Sequence, residues 1–393
     1  MEKKIVRAAI AGSGFAAAFH YEALQRVFTA KVDVTGVYST TPEKREAFAA
    51  ARNIKPFKNL EALLDGCDVV HVCTPPATHE SIVIKALEWG KDVIVEKPFT
   101  GYFGDGSETF NGDTFLREEG LNQAVASIKR MLEAEQKSNG NIMYAENWIY
   151  APAIQKEREV LQKTGAQILW MHGEQSHSGS HSVSYGQWRF SGGGSMMGKG
   201  CHPVAAALYF KQVEGRTRNG NAIRPKTITA RTHVLTRMPA YNNEGYLRAT
   251  YNDTEDFALL HIEFEDGAIA SLFASEVVLG GVNNWIELNT TNHRTRCQMS
   301  HNDAMKTYTP DAKHLADVYV VEKGETKEGW SFMSPDEGWF HGYQHEMNAF
   351  YKSIADGSPI ESNSRLAADT IATIYAGYLS TERNGEAVTI PLL

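Results

Sequence analysis

Cysteine is scarce in this 393-residue sequence, and its four occurrences, Cys67, Cys73, Cys201 and Cys297, include no CxxC pair. A disulfide framework or a zinc knuckle needs cysteines paired at short spacing, so neither is indicated and reduced thiols are expected. Basic clusters are also lacking, and the formal net charge is -8. Because nucleic-acid binding relies on clustered lysine and arginine, we expect no nucleic-acid partner.

Long hydrophobic runs are missing as well. No apolar stretch reaches the roughly 20 residues that cross a membrane, and Met1 to Lys4 lead into a strand pattern instead of a signal-peptide core. We therefore expect a cytoplasmic protein without a membrane partner. Hydrophobic residues make up 42% and charged residues 22% of the chain, which is ordinary globular usage, and the length favours two domains. A small molecule is the expected partner.

The beginning of the chain follows the order strand, glycine turn, helix. An apolar run over 5–11 ends at a glycine-rich turn, after which helical spacing continues to about residue 28. In a dinucleotide site, Gly12 would make the tight turn, Gly14 would let the backbone approach the pyrophosphate, and Ala17 would allow close helix packing. A simple turn is the alternative. The predicted cofactor contacts here are Gly12, Ser13, Gly14, Phe15 and Ala16.

Short apolar strands and amphipathic helices alternate up to residue 95, which predicts a parallel sheet covered on both faces. The predicted strands are 32–38, 68–73 and 92–95, and the predicted helices are 42–52, 60–64 and 79–89. Ligands of such sheets bind beyond the carboxyl ends of the strands, where two proline-containing loops join the glycine turn. From these loops we add as predicted cofactor contacts Thr74, Pro75, His79, Glu96 and Lys97.

The end of the second predicted strand bears on the choice of dinucleotide. Enzymes that prefer NAD usually carry an acid there to hold the ribose hydroxyls, whereas this chain has Ser39-Thr40-Thr41 with Lys44 and Arg45 nearby. Such side chains tolerate a 2′-phosphate, although the hydroxyls can also bind an unmodified ribose. We expect Ser39, Thr40 and Lys44 to contact NAD(P)(H), with NADP weakly favoured.

Three longer stretches carry a family resemblance. They are His71-Val-Cys-Thr-Pro-Pro-Ala-Thr-His79, Gly90-Lys-Asp-Val-Ile-Val-Glu-Lys97-Pro98 and His341-Gly-Tyr-Gln-His-Glu-Met-Asn-Ala-Phe350. In these motifs the chain resembles the glucose-fructose oxidoreductase and inositol dehydrogenase (Gfo/Idh/MocA) family. The resemblance implies an α/β fold: a Rossmann domain (1–149) with a doubly wound parallel sheet, then an α+β domain (150–393) with an open, mostly antiparallel sheet. One face of that sheet would bear the substrate site and the other often an oligomer contact.

The second half of the sequence fits that description by its own pattern. A hairpin signal at Glu265-Asp266-Gly267 lies among short strand patterns, and two amphipathic helices close the chain. The predicted strands are 168–173, 227–235, 257–264, 268–276 and 284–288, and the predicted helices are 343–355 and 366–381.

Lys97 and His202 are the leading candidates for chemistry. Lys97 follows a strand at the sheet edge where nicotinamide would lie, and the resemblance assigns such a lysine to catalysis; a surface lysine is the alternative. His202 matches a histidine that the family places at a helix start, three positions after an acidic residue. Histidine suits removal of a hydroxyl proton because its ordinary pKa of about 6.5 is near neutrality. A core histidine is the alternative for His202.

Lys199 occupies the acidic position of that segment, which departs from the family pattern. Residues three apart on a helix share a face, so Lys199 and His202 can both address the substrate; a lysine pointing to solvent is the alternative. A second cation should lower the pKa of Lys97 or Lys199. We predict catalytic and substrate-binding roles for Lys97, Lys199 and His202.

Further polar and aromatic residues suit a polyol. Asn147 follows the last predicted Rossmann strand and is expected at the cofactor, although a hinge is the alternative for it and for its neighbour Glu146. His177 and His181 lie in a Gly/Ser loop without metal-ligand spacing, so no metal is predicted. The additional predicted substrate contacts are Glu146, Tyr150, His177 and Trp188.

An apparent insertion over 100–120 combines glycines with aromatic residues directly after Lys97. Such a segment predicts a lid over the site or a subunit contact, with a packed surface loop as the alternative.

These features predict an NAD(P)-dependent oxidoreductase that moves a hydride between nicotinamide and a secondary hydroxyl of a sugar, glycoside or inositol. The resemblance also implies a homo-oligomer, a dimer or a tetramer. Two other functions stay open. One is a redox-neutral enzyme that cleaves glycosidic bonds with retained NAD(H), and the other is a noncatalytic dinucleotide-binding sensor.

Overall fold

A computed structural model describes residues 3–180, 182 and 184–393 of the chain. Its first layer is a sheet of six parallel strands in the order β3-β2-β1-β4-β5-β6. The strands are β1 Ile5–Ala11, β2 Lys31–Tyr38, β3 Lys55–Phe57, β4 Val69–Val72, β5 Asp92–Glu96 and β6 Ile142–Ala145. Five helices belong to this layer: α1 Phe15–Leu24, α2 Pro42–Arg52, α3 Leu60–Asp65, α4 His79–Glu88 and α5 Arg117–Lys137.

The sheet order confirms the predicted parallel fold and locates a ligand site. All four residues of β4 are buried, as expected of a parallel strand covered on both faces. Consecutive strands run outward from β1 in one direction and from β4 in the other. The gap between the carboxyl ends of β1 and β4 is therefore the topological switch point, where open α/β sheets bind their ligands.

The second layer is a seven-stranded sheet in the order β12-β11-β7-β10-β9-β8-β15. Only β7 and β10 pair in parallel, so the sheet is mostly antiparallel, as predicted. Its strands are β7 Ile168–Ser176, β8 Pro225–His233, β9 Phe257–Phe264, β10 Ile269–Ser275, β11 Asn283–Thr290, β12 Arg294–Ser300 and β15 Val388–Thr389. A separate two-stranded ribbon is formed by β13 Lys306–Thr309 and β14 Gly329–Phe332.

Helices cover one face of the second sheet, and those that pack on its strands are α6 Pro152–Thr164, α8 Ser195–Gly198, α9 Cys201–Asn219 and α12 Ser364–Glu382. Three further helices are α7 Trp188–Ser191, α10 Glu337–Phe340 and α11 Tyr343–Asp356, of which α11 packs against α1 and β1 of the first layer. In β9, Ala258, Leu260 and Ile262 are buried while Leu259 is exposed, which is the alternation of a strand with one covered face. None of the helices in the described part of the chain is long and apolar enough to cross a membrane.

Helix α12 joins the two layers, because it packs against both α5 and β8. The hydroxyl of Tyr375 on this helix donates to the carbonyl of Gly192 at 2.7 Å and accepts from the backbone N–H of Tyr102 at 2.6 Å. These bonds connect the segment after β5 to the glycine-rich turn before α8.

The segment 100–116, which precedes α5, is packed against the body of the protein. Tyr102 and Phe115 form ring contacts within it, and the Phe115 ring lies 4.9 Å from that of Trp188. The Trp188 indole N–H donates to Tyr102 O at 2.9 Å, and Arg189 donates to the carbonyls of Glu108 and Phe110. This arrangement agrees with the packed-loop alternative, and residues 117–120 begin α5 instead of extending a lid.

Asp253 is expected to be the principal anchor of this segment. Its carboxylate accepts the backbone N–H of Gly112 at 2.8 Å and that of Trp188 at 2.8 Å. Asp253→Asn replaces one acceptor by an NH₂ donor that faces an N–H, so we expect a loss of about 2 kcal/mol in unfolding free energy, measured by urea denaturation. Asp105→Asn, at an exposed turn of the same segment, should have a smaller effect. An equal loss of unfolding free energy in the two variants would contradict this role of Asp253.

Candidate functional site

A cavity of about 640 Å³ lies where the carboxyl ends of β1, β4 and β5 meet the second sheet. Phe15, Thr74 and Lys97, which follow these three strands, line it from the first layer, and Gln175 and Asn284 line it from the second. The cavity therefore coincides with the predicted switch-point site and is closed by side chains from both layers.

The glycine turn fits the phosphates of a dinucleotide. Gly12 has φ +118°, and a Cβ there would lie 2.4 Å from the carbonyl oxygen of Cys73, so a side chain is excluded. A Cβ on Gly14 would meet open space. Gly14 is the residue before α1, whose first turn has neither a side-chain cap nor an acid, and Phe15 and Ala16 line the cavity. The unpaired N–H groups of this helix start are available to an anion.

The end of β2 offers hydroxyl groups and one exposed cation. The Ser13 hydroxyl donates to Ser39 Oγ at 3.0 Å, which connects β2 to the glycine turn. Arg45 is buried and donates to Ser39 O at 3.1 Å, so its position is fixed inside the protein. Thr40 and Lys44 are exposed. Among these predicted contacts, Lys44 is thus the cation that can reach a ligand.

Thr74 and Pro75 line the cavity, but His79 does not take the cofactor contact predicted for it. His79 is fully buried, and its ring nitrogens lie 2.9 Å from Pro98 O and 3.0 Å from Thr74 O. The imidazole connects the loop after β4 to the loop after β5. Its role is to position the loops on which Thr74 and Lys97 lie.

Glu96 lines the cavity and is held as a carboxylate. Burial raises its pKa, but the hydrogen bond and charge of His20 lower it, and the net shift is downward. Oε1 is 3.0 Å from His20 Nε2, and Oε2 accepts the backbone N–H of Lys97 at 3.0 Å. Glu96 therefore fixes the backbone from which the Lys97 side chain extends.

Lys97 points its ammonium group into the cavity, with Nζ 3.5 Å from Gly198 O and 5.9 Å from the centre of the Tyr185 ring. Burial lowers the pKa of Lys97, but neighbouring groups that include the Glu96 carboxylate raise it, and the net shift is upward. The expectation that a second cation lowers this pKa is wrong, because the net shift is in the opposite direction. At neutral pH Lys97 is a charged hydrogen-bond donor.

His202, at the start of α9, forms a buried pair with Glu146. Nδ1 is 2.5 Å from Glu146 Oε1, and the imidazole stacks on Trp148 with ring centres 5.8 Å apart. Burial lowers the pKa of His202; Glu146 opposes this shift, Lys97 and Lys199 add to it, and the net shift is downward. A neutral ring that donates from Nδ1 to the carboxylate keeps Nε2 as a proton acceptor. Glu146 is fully buried and bonded to His202, and it is not among the residues that line the cavity, so the structure does not place it at the substrate contact predicted for it.

The donor atoms of Glu146, Cys201 and His202 lie within 4.8 Å of one another, a set that could hold a metal ion. Burial raises the pKa of Cys201 to about 12, so its thiol carries a proton at neutral pH that a metal ion would have to displace. The direct 2.5 Å contact between His202 and Glu146 is a hydrogen-bond distance. We therefore interpret this cluster as a proton-holding pair.

Lys199 is only 5% exposed and lines the same cavity, so the solvent-facing alternative does not apply. Its Nζ donates to Ser180 Oγ at 2.9 Å and lies 3.2 Å from Glu276 Oε1. The Tyr185 ring centre is 5.5 Å away. The structure thus brings Lys97, Lys199 and His202 to one cavity from separate segments.

Asn147 and His177 also line the cavity. The Asn147 amide donates to His341 O at 2.8 Å, which connects the end of the first sheet to the segment before α11. The backbone N–H of Gly179 donates to His177 Nδ1 at 3.0 Å. His181, the other histidine of this loop, lies outside the described residues.

Tyr150 and Trp188 are structural residues, which corrects their predicted substrate contacts. Tyr150 is 3% exposed and its hydroxyl accepts the backbone N–H of Ser362 at 3.0 Å. Trp188 is fully buried against the segment 100–116. Both rings stabilise the walls around the cavity.

Several cavity residues were missed from sequence. His341 and Tyr343 lie in the motif quoted for the family resemblance and could have been added, whereas the others lie in segments without a periodic pattern. The additional lining residues include Phe190, Ser191, Val282, Glu322, Lys323, His341 and Tyr343.

The turn that carries Lys199 and His202 is supported by Glu255. This buried carboxylate accepts the backbone N–H groups of Gly194 at 3.1 Å and Met196 at 2.9 Å, and the hydroxyl of Tyr378 at 2.8 Å. Burial nevertheless raises the pKa of Glu255 to about 7.

Two family models match separate parts of the chain. The model described as oxidoreductase family, NAD-binding Rossmann fold, matches residues 6–111. The model of the GFO/IDH/MocA C-terminal domain matches residues 165–295. The first match contains the glycine turn and Lys97, and the second contains Lys199 and His202. Together they cover more than half of the chain.

Curated relatives match over shorter stretches. An uncharacterized oxidoreductase of Schizosaccharomyces pombe is 34% identical over 112 residues, which are 27% of this chain and 30% of the relative. UDP-N-acetylglucosamine 3-dehydrogenase of Acidithiobacillus ferrooxidans is 28% identical over 134 residues, 33% of this chain and 40% of the relative. The matched stretches thus span less than half of either relative.

Solved structures match over nearly the whole chain. GenD2 from gentamicin A biosynthesis, in complex with NAD, superposes with a TM-score of 0.78 at 21% identity, covering 100% of this chain and 98% of that one. The myo-inositol 2-dehydrogenase from Lactobacillus plantarum superposes with a TM-score of 0.73 at 16% identity, covering 99% and 100%. These likenesses show that the fold is shared.

Glu255 predicts a pH-dependent stability. Its pKa lies near 7 in the folded protein against an ordinary 4.5, so between these values the folded chain binds the proton more tightly than the unfolded chain. The unfolding free energy should therefore fall as pH rises from about 4.5 to 7. Glu255→Gln has no titrating group and should make this fall shallower in denaturation series, whereas Glu43→Gln, at an exposed site on α2, should not. Parallel curves for Glu255→Gln and the unmodified protein would contradict the assignment.

Proposed function

The chain belongs to the Gfo/Idh/MocA oxidoreductase family, and on that premise we propose that it moves a hydride between a nicotinamide dinucleotide and a secondary hydroxyl of a sugar, glycoside or inositol. One observation carries the proposal. Lys97, Lys199 and His202 line a single cavity that also contains the anion-accepting start of α1. Oxidation of a carbinol needs an acceptor for the hydroxyl proton beside the hydride acceptor, and hydrogen-bond donors at the oxygen stabilise the charge that develops there.

In this proposal each of the two layers binds one of the two ligands. We assign residues 1–149 to the dinucleotide and residues 150–393 to the sugar. Gly12, Gly14, Phe15 and Ala16 would hold the phosphates, and the Ser39 region the ribose, as argued from the turn geometry above. Thr74, Pro75, Glu96, Lys97 and Asn147 would surround the nicotinamide end. When bound, the dinucleotide supplies the hydride acceptor or donor.

The proton chemistry then belongs to the chain's own side chains. His202 Nε2 accepts the proton of the substrate hydroxyl, and the Glu146 carboxylate stabilises the imidazolium that forms. The Lys97 and Lys199 ammonium groups donate hydrogen bonds to the substrate oxygen and stabilise its developing negative charge. In the reductive direction, the same groups return the proton.

The names of similar proteins support this substrate class. Relatives include dehydrogenases named for UDP-N-acetylglucosamine and for glucose 6-phosphate, and the structural neighbours include inositol dehydrogenases. All of these names describe secondary alcohols on rings. The serines and aromatic side chains of the cavity are suited to such polyols.

A homo-oligomer, dimer or tetramer, is part of the proposal. The outer face of the second sheet carries partly exposed Trp170, Phe273 and Leu259 on the adjacent strands β7, β10 and β9, in that order. A patch of large apolar side chains on neighbouring strands is typical of a subunit contact.

The direct test is incubation of the purified protein with NAD or NADP and a panel of sugars, glycosides and inositols. Absorbance of the reduced dinucleotide and the mass of the product are followed together. Oxidation gives reduced dinucleotide and a ketone mass. A cleaved product without reduced dinucleotide would indicate redox-neutral cleavage, and tight dinucleotide binding without any product would indicate a sensor.

We expect His202→Ala and Lys97→Ala to lose turnover by about 10² to 10⁴, the usual effect of removing a positioned acid-base group. Dinucleotide affinity should be retained, because the contacts of the glycine turn are intact. Glu146→Gln should lose less, since the imidazole is kept. Steady-state kinetics and dinucleotide titration measure these effects, with His314→Ala at an exposed turn as the control. Full activity of His202→Ala at every pH would refute the mechanism.

For the dinucleotide, we propose a weak preference for NADP through Lys44. Lys44→Ala should weaken NADP binding about fivefold, the loss of one exposed charge contact, and leave NAD binding unchanged. Fluorescence titration measures both affinities, and Lys31→Ala, at the opposite end of β2, is the control. NAD binding tenfold tighter than NADP by the unmodified protein would reject the preference.

A further inference from the structure

A buried carboxylate, Glu276, lies directly behind Lys199. It follows β10, its backbone N–H donates to Asp256 O at 2.8 Å, and it is 1% exposed. Its Oε1 is 3.2 Å from Lys199 Nζ. The Ser180 hydroxyl lies 3.0 and 3.2 Å from the two carboxylate oxygens and accepts from Lys199 Nζ at 2.9 Å. Lys199, Ser180 and Glu276 thus form a closed triangle of polar contacts.

This triangle constrains the Lys199 ammonium group. An ammonium has three N–H donors. One is directed to Ser180 at 2.9 Å, and the group makes a charge contact with Glu276 at 3.2 Å, so donor capacity remains for a ligand in the cavity that Lys199 lines. A buried ammonium without a counter-charge is unfavourable, so the Glu276 carboxylate also keeps this donor charged.

The neighbouring glycine lets the turn lie close to the Tyr185 ring. A Cβ on Gly198 would lie 2.9 Å from this ring, whereas its separation of 3.9 Å from Glu276 Oε1 is an ordinary contact. The same residue's carbonyl is the one near Lys97 Nζ, at 3.5 Å. The turn therefore contacts Lys97 through the carbonyl of Gly198 and Glu276 through the side chain of Lys199.

We propose that Glu276 is a positioning residue that, together with Ser180, holds Lys199 as a charged hydrogen-bond donor aimed at the substrate oxygen. This inference rests on the proposed function for the identity of that oxygen. Glu276 itself does not contact the substrate. Its effect on turnover passes through Lys199, and this distinguishes it from a carboxylate that merely stabilises the second sheet.

The kinetic test uses Glu276→Gln in two backgrounds, the unmodified chain and Lys199→Met. In the unmodified chain, the substitution should lower kcat/KM for the sugar by about 30-fold or more, as expected when one partner of a buried charge pair is removed. Dinucleotide affinity should change less than about twofold. In the Lys199→Met background, Glu276→Gln should change kcat/KM little further, because the ammonium group that Glu276 positions is already absent.

The matched control is Glu287→Gln. Glu287 is a buried carboxylate on β11 of the same sheet and pairs with Arg294 at 2.7 Å, outside the cavity. Loss of activity in Glu287→Gln equal to that in Glu276→Gln would overturn the proposal, since any buried carboxylate of the sheet would then suffice. An equal effect of Glu276→Gln in both backgrounds, or no effect in either, would overturn it too.

A second measurement does not depend on activity. Competitive labelling with acetic anhydride and peptide mass spectrometry reports how readily each lysine loses its proton. Glu276→Gln should raise the labelling of Lys199 about fivefold or more, because the charged form has lost its counter-charge, while Lys97 serves as the internal reference. If the protein oxidises no sugar, the proposed function is rejected, but the labelling still tests this inference. Equal labelling of Lys199 in Glu276→Gln and in the unmodified protein would overturn it.

Ser180→Ala covers the case in which Glu276→Gln does not fold. This change removes the bridging hydroxyl but no charge, so a smaller loss of about threefold to tenfold in kcat/KM is expected, the usual effect of one neutral hydrogen bond. No loss in Ser180→Ala would contradict the positioning of Lys199 by this triangle.

Discussion

The hydrogen bond between His202 and Glu146 is the contact on which the site depends. Glu146 directly follows β6 of the first sheet, and His202 begins α9 under the second, so this 2.5 Å contact joins the two layers at the cavity. Because both groups are buried, neither can exchange its partner for water without a large cost. The same bond fixes the imidazole tautomer and hence the face on which a proton can be accepted.

Buried charged groups elsewhere around the cavity are also held by their partners. Glu96 is paired with His20, and Lys199 with Glu276, so the buried charges have opposite partners in a low-dielectric setting. Lys97 is different, because Glu96, the carboxylate among the groups that raise its pKa, accepts the backbone N–H of Lys97 and is itself paired with His20. Its ammonium is therefore both charged and accessible, a combination that suits a group meant to meet a developing oxyanion.

The sheet and the glycine turn could be predicted from sequence, because backbone sterics and burial determine them locally. Gly12 has to be glycine since the carbonyl of Cys73 leaves no room for a Cβ, and β4 is buried throughout, with valine at three of its four positions, since both of its faces are covered. The presence of Lys97 in the site could also be predicted, because this residue directly follows a strand of the sheet. The pairing of Glu276 with Lys199 could not be predicted, because it depends on how β10 meets the turn after α8.

The same argument explains which predicted contacts were misplaced. His79, Glu146, Tyr150 and Trp188 lie close to cavity-lining residues in sequence, yet each side chain is directed into the protein, where it bonds to a loop, a catalytic candidate or a wall. Closeness in sequence indicates that a residue lies near the cavity, but the direction of its side chain is decided by packing. A site of this kind is therefore two sets of residues: those that reach the ligand, and an equally specific set that holds them.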